Sequence, residues 1–143
     1  LPNIVNNDAS YVIMRAVQFF LPGEPQVYYV GLFNGMDDRE LFEKTEQGRD
    51  VNRHHYTPQE IEAALEQPVT QAIIALARLR KHAAFEGEFS WRVTGESSIE
   101  LGWKKGSDSL ALSFDTKTSE FEISIEDASG ARVLSGVEEL ASY

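Results

Sequence analysis

The chain contains no cysteine. That excludes disulfide staples, thiol nucleophiles and cysteine-held metals, and it makes a reducing cytoplasm the expected compartment. No apolar run approaches the roughly 20 residues that cross a bilayer, so no membrane partner is expected. Basic residues are scarce: 13 Lys and Arg stand against 23 Asp and Glu, a formal net charge of -10. An excess of that sign repels phosphate backbones and anionic lipid, which argues against nucleic acid as a partner. The segment Gly31-Leu32-Phe33-Asn34-Gly35 lacks the glycine and lysine spacing of a phosphate loop. A triad drawn from Ser10, His54 and Asp37 lacks the G-x-S-x-G elbow that would present its nucleophile. What remains is a globular composition, 42% hydrophobic and 25% charged, which excludes a disordered chain. The length, 143 residues, suits one ordinary domain or two small pieces.

The chain is organised around residues 21–56. Tyr11 to Phe20 is apolar almost all round, as in a helix buried on more than one side. It stops at Leu21-Pro22-Gly23. Gln26 to Val30 follows, too short for a helix and rich in Val and Tyr. Its unbroken apolar pattern predicts a strand inside a parallel sheet. No second strand of that kind exists in the chain, so the run has open edges. We therefore expect neighbours from elsewhere, either the rest of a longer chain or other copies. The first residue, Leu1, also suits a piece cut from a longer protein.

Beyond the run, Asp37 to Gln47 contains a short helix with Gly48 as its stop. Thr57-Pro58-Gln59-Glu60 reads as a helix start with a capping box and Pro at the first helical position. A second helix opens at Pro68, with Val69, Ala72, Ile73 and Leu76 along one stripe. The period then changes from 3.6 to 2. Phe89-Trp91-Val93, Ile99-Leu101-Trp103, Leu110-Leu112-Phe114 and Phe121-Ile123-Ile125 alternate with polar residues and are separated by turn clusters. A fifth strand falls at Ala131 to Leu134. This pattern predicts an antiparallel meander with one buried face. Both Trp91 and Trp103 are in phase with the buried set, which assigns them to the core rather than to a sugar-binding surface.

The stretches RAVQFFLPGEPQVYYVG and GRDVNRHHY resemble the C-terminal part of the sucrose phosphorylases, members of glycoside hydrolase family 13 in the α-amylase superfamily. The likeness runs from about Asn7 to Phe85 and more loosely through the β-rich remainder. It implies an α/β plus all-β chain. Residues 1–84 would be the last helix-strand-helix of a (β/α)8 TIM barrel, and residues 85–143 a small antiparallel β domain. It also implies reversible glucosyl transfer from sucrose to phosphate with retention, through a covalent glucosyl-enzyme. Relatives acting on sucrose phosphate or glucosylglycerate are alternatives, as is a non-catalytic carbohydrate-binding or assembly module built on the meander. The family's nucleophilic Asp, acid/base Glu and stabilising Asp lie on earlier barrel strands, before Leu1. The chain by itself is then expected to carry no catalytic residue and no activity, and to self-associate or pair with the missing N-terminal part.

The chemistry concentrates in the polar loop, which holds Asp37, Asp38, Glu40, Arg49, Asp50, Arg53, His54 and His55. Loops after the strands of such barrels build active sites. Arg49 and Arg53 can hold phosphate or sugar hydroxyls by charged hydrogen bonds, or can pair with Asp37, Asp38 or Asp50 and order the loop. The resemblance makes Arg49, the arginine of GRD, the substrate-binding candidate on the acceptor and phosphate side. Asp50, Arg53 and His54 are further loop contacts. His55 stands where the family motif usually has Tyr. Adjacent histidines diverge, and no metal-ligand spacing accompanies His54-His55, so no metal is expected and no cofactor is implied.

Overall fold

The computed structural model describes residues 8–35, 38–48, 50 and 53–143. The first element, α1 (Asp8–Phe20), buries Val12, Ile13, Ala16, Phe19 and Phe20. Those positions recur at helical spacing and define one face. Met14 stands away from that face and is 63% exposed.

The strand expected at Gln26 to Val30 does not form. Residues 24–28 carry no regular structure, and Tyr29–Leu32 make a one-turn helix, α2. Tyr28 and Tyr29 are exposed rather than interior. The physical reason is hydrogen bonding. A strand buried in a parallel sheet needs ladder partners on both edges, and the described residues offer none there. The backbone satisfies itself locally instead: the Leu32 amide donates to the Tyr28 carbonyl at 2.9 Å and the Phe33 amide to the Tyr29 carbonyl at 3.1 Å.

Three more helices follow: α3 (Arg39–Thr45), α4 (Pro58–Leu65) and α5 (Pro68–Leu79). Helix α5 buries the expected stripe of Val69, Ala72, Ile73, Leu76 and Leu79. A 3-10 turn, Ala83–Glu86, leads into the sheet, with His82 Nδ1 accepting from the Ala84 amide at its start. Gly87 closes that turn against the neighbouring strand. A Cβ there would lie 2.0 Å from the Lys104 carbonyl oxygen, a backbone atom that cannot move aside, so only glycine fits.

The sheet has five antiparallel strands in the order β1 (Glu88–Val93), β2 (Ser98–Lys105), β3 (Asp108–Asp115), β4 (Phe121–Asp127) and β5 (Gly130–Ser135). Its register lines up Trp91, Leu101, Leu112, Ile123 and Leu134 in one cross-strand row. Residues opposite one another share a face, so the apolar phase of β1 to β4 is turned inward, joined from β5 by Leu134. A last helix, α6 (Gly136–Ala141), follows, too short to be predicted from periodicity. It buries Leu140 completely.

Helices α1, α5 and α6 pack together, and α1 covers the inner face over β2 and β3. One hydrophobic cluster runs from Val12 and Phe20 through Leu76 and Phe85 to Leu112 and Ile123. Trp103 belongs to it and donates from Nε1 to the Phe20 carbonyl at 2.6 Å. Trp91 does not. It lies on the inner face, as its phase requires, but on edge strand β1, where it is 66% exposed. Alternation places a side chain on a face; it does not say how far the covering layer extends.

The difference between these positions is measurable. Leu112→Ala should cost about 2–5 kcal/mol through lost burial and the cavity left behind. Trp91→Ala should cost about 1 kcal/mol or less. Paired denaturant titrations check this, and equal losses would contradict the exposed placement of Trp91.

Candidate functional site

The polar loop is fastened through the caps of the helices on either side. Asp38 caps α3: its Oδ1 accepts from the Leu41 amide at 2.9 Å. The helix ends at Glu46, which takes a left-handed φ of 54°, two residues before the glycine expected to stop it. At the far side, α4 begins with the capping box its sequence announces. Thr57 Oγ1 accepts from the Glu60 amide at 3.3 Å, and Glu60 Oε2 accepts from the Thr57 amide at 2.7 Å. Each cap satisfies helix amides that would otherwise lack a partner.

His54 joins the two caps. Its Nδ1 lies 2.9 Å from Asp38 Oδ2, and its Nε2 lies 3.2 Å from Glu60 Oε1. Its carbonyl accepts from the Tyr29 hydroxyl at 3.0 Å. The Tyr56 ring stands edge-on to the imidazole, with centroids 4.7 Å apart, and also meets Phe33 and Tyr29. Gly35 permits the close approach of Tyr56: a Cβ there would run into the Tyr56 hydroxyl and fall 2.9 Å from Val30 Cγ1.

The charges respond accordingly. The hydrogen bond that His54 makes to the Asp38 carboxylate raises the His54 pKa above its ordinary value, with Glu60 acting in the same direction. The His54 bond, then the Leu41 amide, lowers that of Asp38. Glu60 is lowered chiefly by the Thr57 amide. Burial raises the Tyr56 phenol, and the hydrogen bond with Tyr28 raises that of Tyr29.

Two adjoining clefts open on the loop. One, about 370 Å³, is lined by Tyr28, Tyr29, Leu41, Thr45, Asp50, Arg53 and His55. The other, about 230 Å³, is lined by Asp38, Glu40, Leu41, Lys44, His54 and His55. The first has a volume suited to a small ligand. Its Arg53 guanidinium supplies hydrogen-bond donors and its Asp50 carboxylate is an acceptor.

The loop residues picked from the sequence thus gather at one place. Asp50, Arg53 and His55 line the larger cleft, and His54 lines the smaller. Arg49 and Asp37 lie outside the described residues. Glu60 had a signal only as part of a capping box, and Asp38 only as a loop carboxylate able to pair with an arginine; their meeting at His54 required the fold, because 22 residues separate them in sequence. Both carboxylates are committed to a cap and to the imidazole. That leaves them no room to flank a scissile bond as a nucleophile and an acid/base pair. Among the described residues, no group of three or more His, Cys, Asp or Glu is placed to hold a metal. No described helix is long and apolar enough to cross a membrane.

No protein-family model matches the chain. It is 47% identical over 112 residues, 78% of its length, to the sucrose phosphorylase of Bifidobacterium adolescentis. The chain is a homologue of the sucrose phosphorylases. It is also 41% identical over 128 residues to the sucrose 6F-phosphate phosphorylase of Thermoanaerobacterium thermosaccharolyticum. To the glucosylglycerol phosphorylase of Marinobacter adhaerens it is 43% identical over 104 residues. A crystal structure of sucrose 6F-phosphate phosphorylase superposes with a TM-score of 0.85 at 40% identity, over 89% of this chain and 26% of that one. The chain spans only 22% to 26% of the length of these relatives. It corresponds to a C-terminal piece of a sucrose phosphorylase-like enzyme.

The capping box supplies a local test. Thr57→Ala should cost about 1 kcal/mol of stability and fray the start of α4, whereas Thr57→Ser should be close to neutral. Amide exchange at residues 58–61 reads it, and unchanged exchange in the alanine variant would remove the cap from the account.

Proposed function

We propose that the chain supplies the acceptor-side loop and C-terminal domain of a retaining, glucosyl-transferring phosphorylase of glycoside hydrolase family 13. The reaction is sucrose plus phosphate to glucose 1-phosphate plus fructose. The observation that carries this reading is the cleft holding Asp50 and Arg53 on a loop pinned through both flanking helix caps, in a homologue of phosphorylases. A guanidinium offers phosphate a fixed fork of donors, and a carboxylate beside it accepts from sugar hydroxyls. Arg49, four residues before Arg53, is the further phosphate- and fructose-binding residue. Sucrose phosphate or a glucosyl-glycerol compound as donor is the nearest variant, supported by the names of the relatives at 41% and 43% identity.

In this reading the nucleophile, the acid/base and the stabilising carboxylate come from the part of the enzyme preceding this chain. Met14, Leu21 and Tyr28, exposed here, pack against that part. The enzyme works in the cytoplasm.

The 143-residue chain alone should release no glucose 1-phosphate from sucrose and phosphate. Saturable turnover by the purified chain would sink this division of labour. In the complete enzyme, Arg49→Ala should weaken phosphate or fructose use by about ten- to hundredfold while glucosyl-enzyme formation continues, the worth of one charged hydrogen bond. Unchanged acceptor kinetics would make Arg49 a structural tie.

A further inference from the structure

His54 faces a carboxylate at each ring nitrogen, Asp38 at 2.9 Å and Glu60 at 3.2 Å. A neutral imidazole carries one N–H, so one of its nitrogens would set a lone pair against a carboxylate oxygen. Both bonds form together only when the ring is an imidazolium and donates twice. Burial and the like charges of Lys44 and Arg53 act against that charge, and the two carboxylates outweigh them. From α2 the Tyr29 hydroxyl reaches its backbone carbonyl, and the uncharged Tyr56 ring meets its edge. On α3, Lys44 and Glu40 line the smaller cleft with it, and Lys44 acts on Asp38. Arg53 and His55 flank it in the chain and line the larger cleft. The raised His54 pKa agrees with the geometry.

Each carboxylate also caps a helix, Asp38 at α3 and Glu60 at α4. The ring therefore closes a loop whose two ends are helix starts and whose middle carries Asp50 and Arg53. We propose that His54 is a positioning residue, a doubly protonated clasp that holds this loop in the form that receives phosphate. The proposal rests on the phosphorylase reading above. A folded pKa raised above the ordinary value makes the clasp complete below that ordinary value. It is lost as pH rises through the raised one.

The test uses the complete enzyme and three variants. Glu60→Gln keeps the capping box and Asp38→Asn keeps the N-cap, yet each removes one charge from the ring. His54→Gln removes the titrating group. Nitrogen-15 spectra of the His54 ring should show both nitrogens protonated at about pH 6, with a midpoint above the ordinary 6.5 that falls in the Asn and Gln variants of the carboxylates. At about pH 6 the phosphate KM of His54→Gln should exceed that of the unmodified enzyme by about tenfold, and the ratio should shrink as pH rises through the ring's midpoint. Phosphate's own titration cancels in that ratio. Glucose release from sucrose without phosphate should persist in all variants.

A ring with one bare nitrogen at about pH 6, or a midpoint not above the ordinary value, overturns the clasp. A charged ring with a KM ratio independent of pH overturns the positioning role, as does equal loss of hydrolysis and phosphorolysis. Failure of the unmodified enzyme to use phosphate would sink the activity reading and the acceptor role with it. That result is distinguishable, because the ring titration needs no substrate.

Discussion

The inner face of the five-stranded meander must be covered, and this requirement shapes the rest of the chain. No single helix is wide enough to bury Leu101, Leu110, Leu112 and Ile123 together. Cover comes from α1 at one end of the sequence, α6 at the other and the 3-10 turn Ala83–Glu86 between them, with α5 packed behind α1 and α6. The meeting point is Trp103. Its indole donates to the Phe20 carbonyl at the end of α1, and Phe85 packs against its ring at 5.6 Å between centroids. Arg80, from the end of α5, lies over the Phe85 ring at 4.2 Å and donates to the Gly23 carbonyl. A cation seated on aromatic faces with its head bonded to a carbonyl ties the turn after α1 to the sheet without a charged partner.

That frame is what makes the polar loop a site. Helix α5 is held by the core, and α4 runs into it through Glu66 and Gln67, so the start of α4 is a fixed point. Tyr29 and Tyr56 make a second anchor against the loop. Between these points the chain carries acidic and basic groups that would repel or collapse onto one another if free. One imidazole instead reaches both carboxylates, and Arg53 and Asp50 line the larger cleft beside it. The abundance of acidic residues thus has local uses: Asp38 and Glu60 as caps, and Asp115 and Asp127 in β turns. Ser97, Ser98 and backbone donors hold the Asp115 carboxyl below its usual range, and Ser129 does the same first for Asp127.

Much of this was legible from residues alone. The capping box at Thr57 and Glu60, the stripe on α5 and all five strands follow from short-range rules, in which each residue's role is decided by neighbours within about one helical turn or by alternation. So did the family, through the GRDVNRHHY and RAVQFFLPGEPQVYYVG stretches. The misreadings share a cause. The Gln26 to Val30 strand needs hydrogen-bond partners from other strands, Trp91 needs a helix above it, and α6 is six residues whose helicity comes from packing Leu140 rather than from pattern.

By itself the sequence determined the elements whose stabilising contacts are local, the phase of the first four strands, and the concentration of polar chemistry between residues 37 and 56. Only the tertiary structure decided which of those polar groups meet. The pairing of His54 with Asp38 and Glu60 spans 16 and 6 residues. Hydrogen bonds at such separations depend on where α3 and α4 are held, which no local pattern records. Burial is decided at the same level: the phase of a strand says which way a side chain points, and only the extent of the helical layer says whether anything covers it.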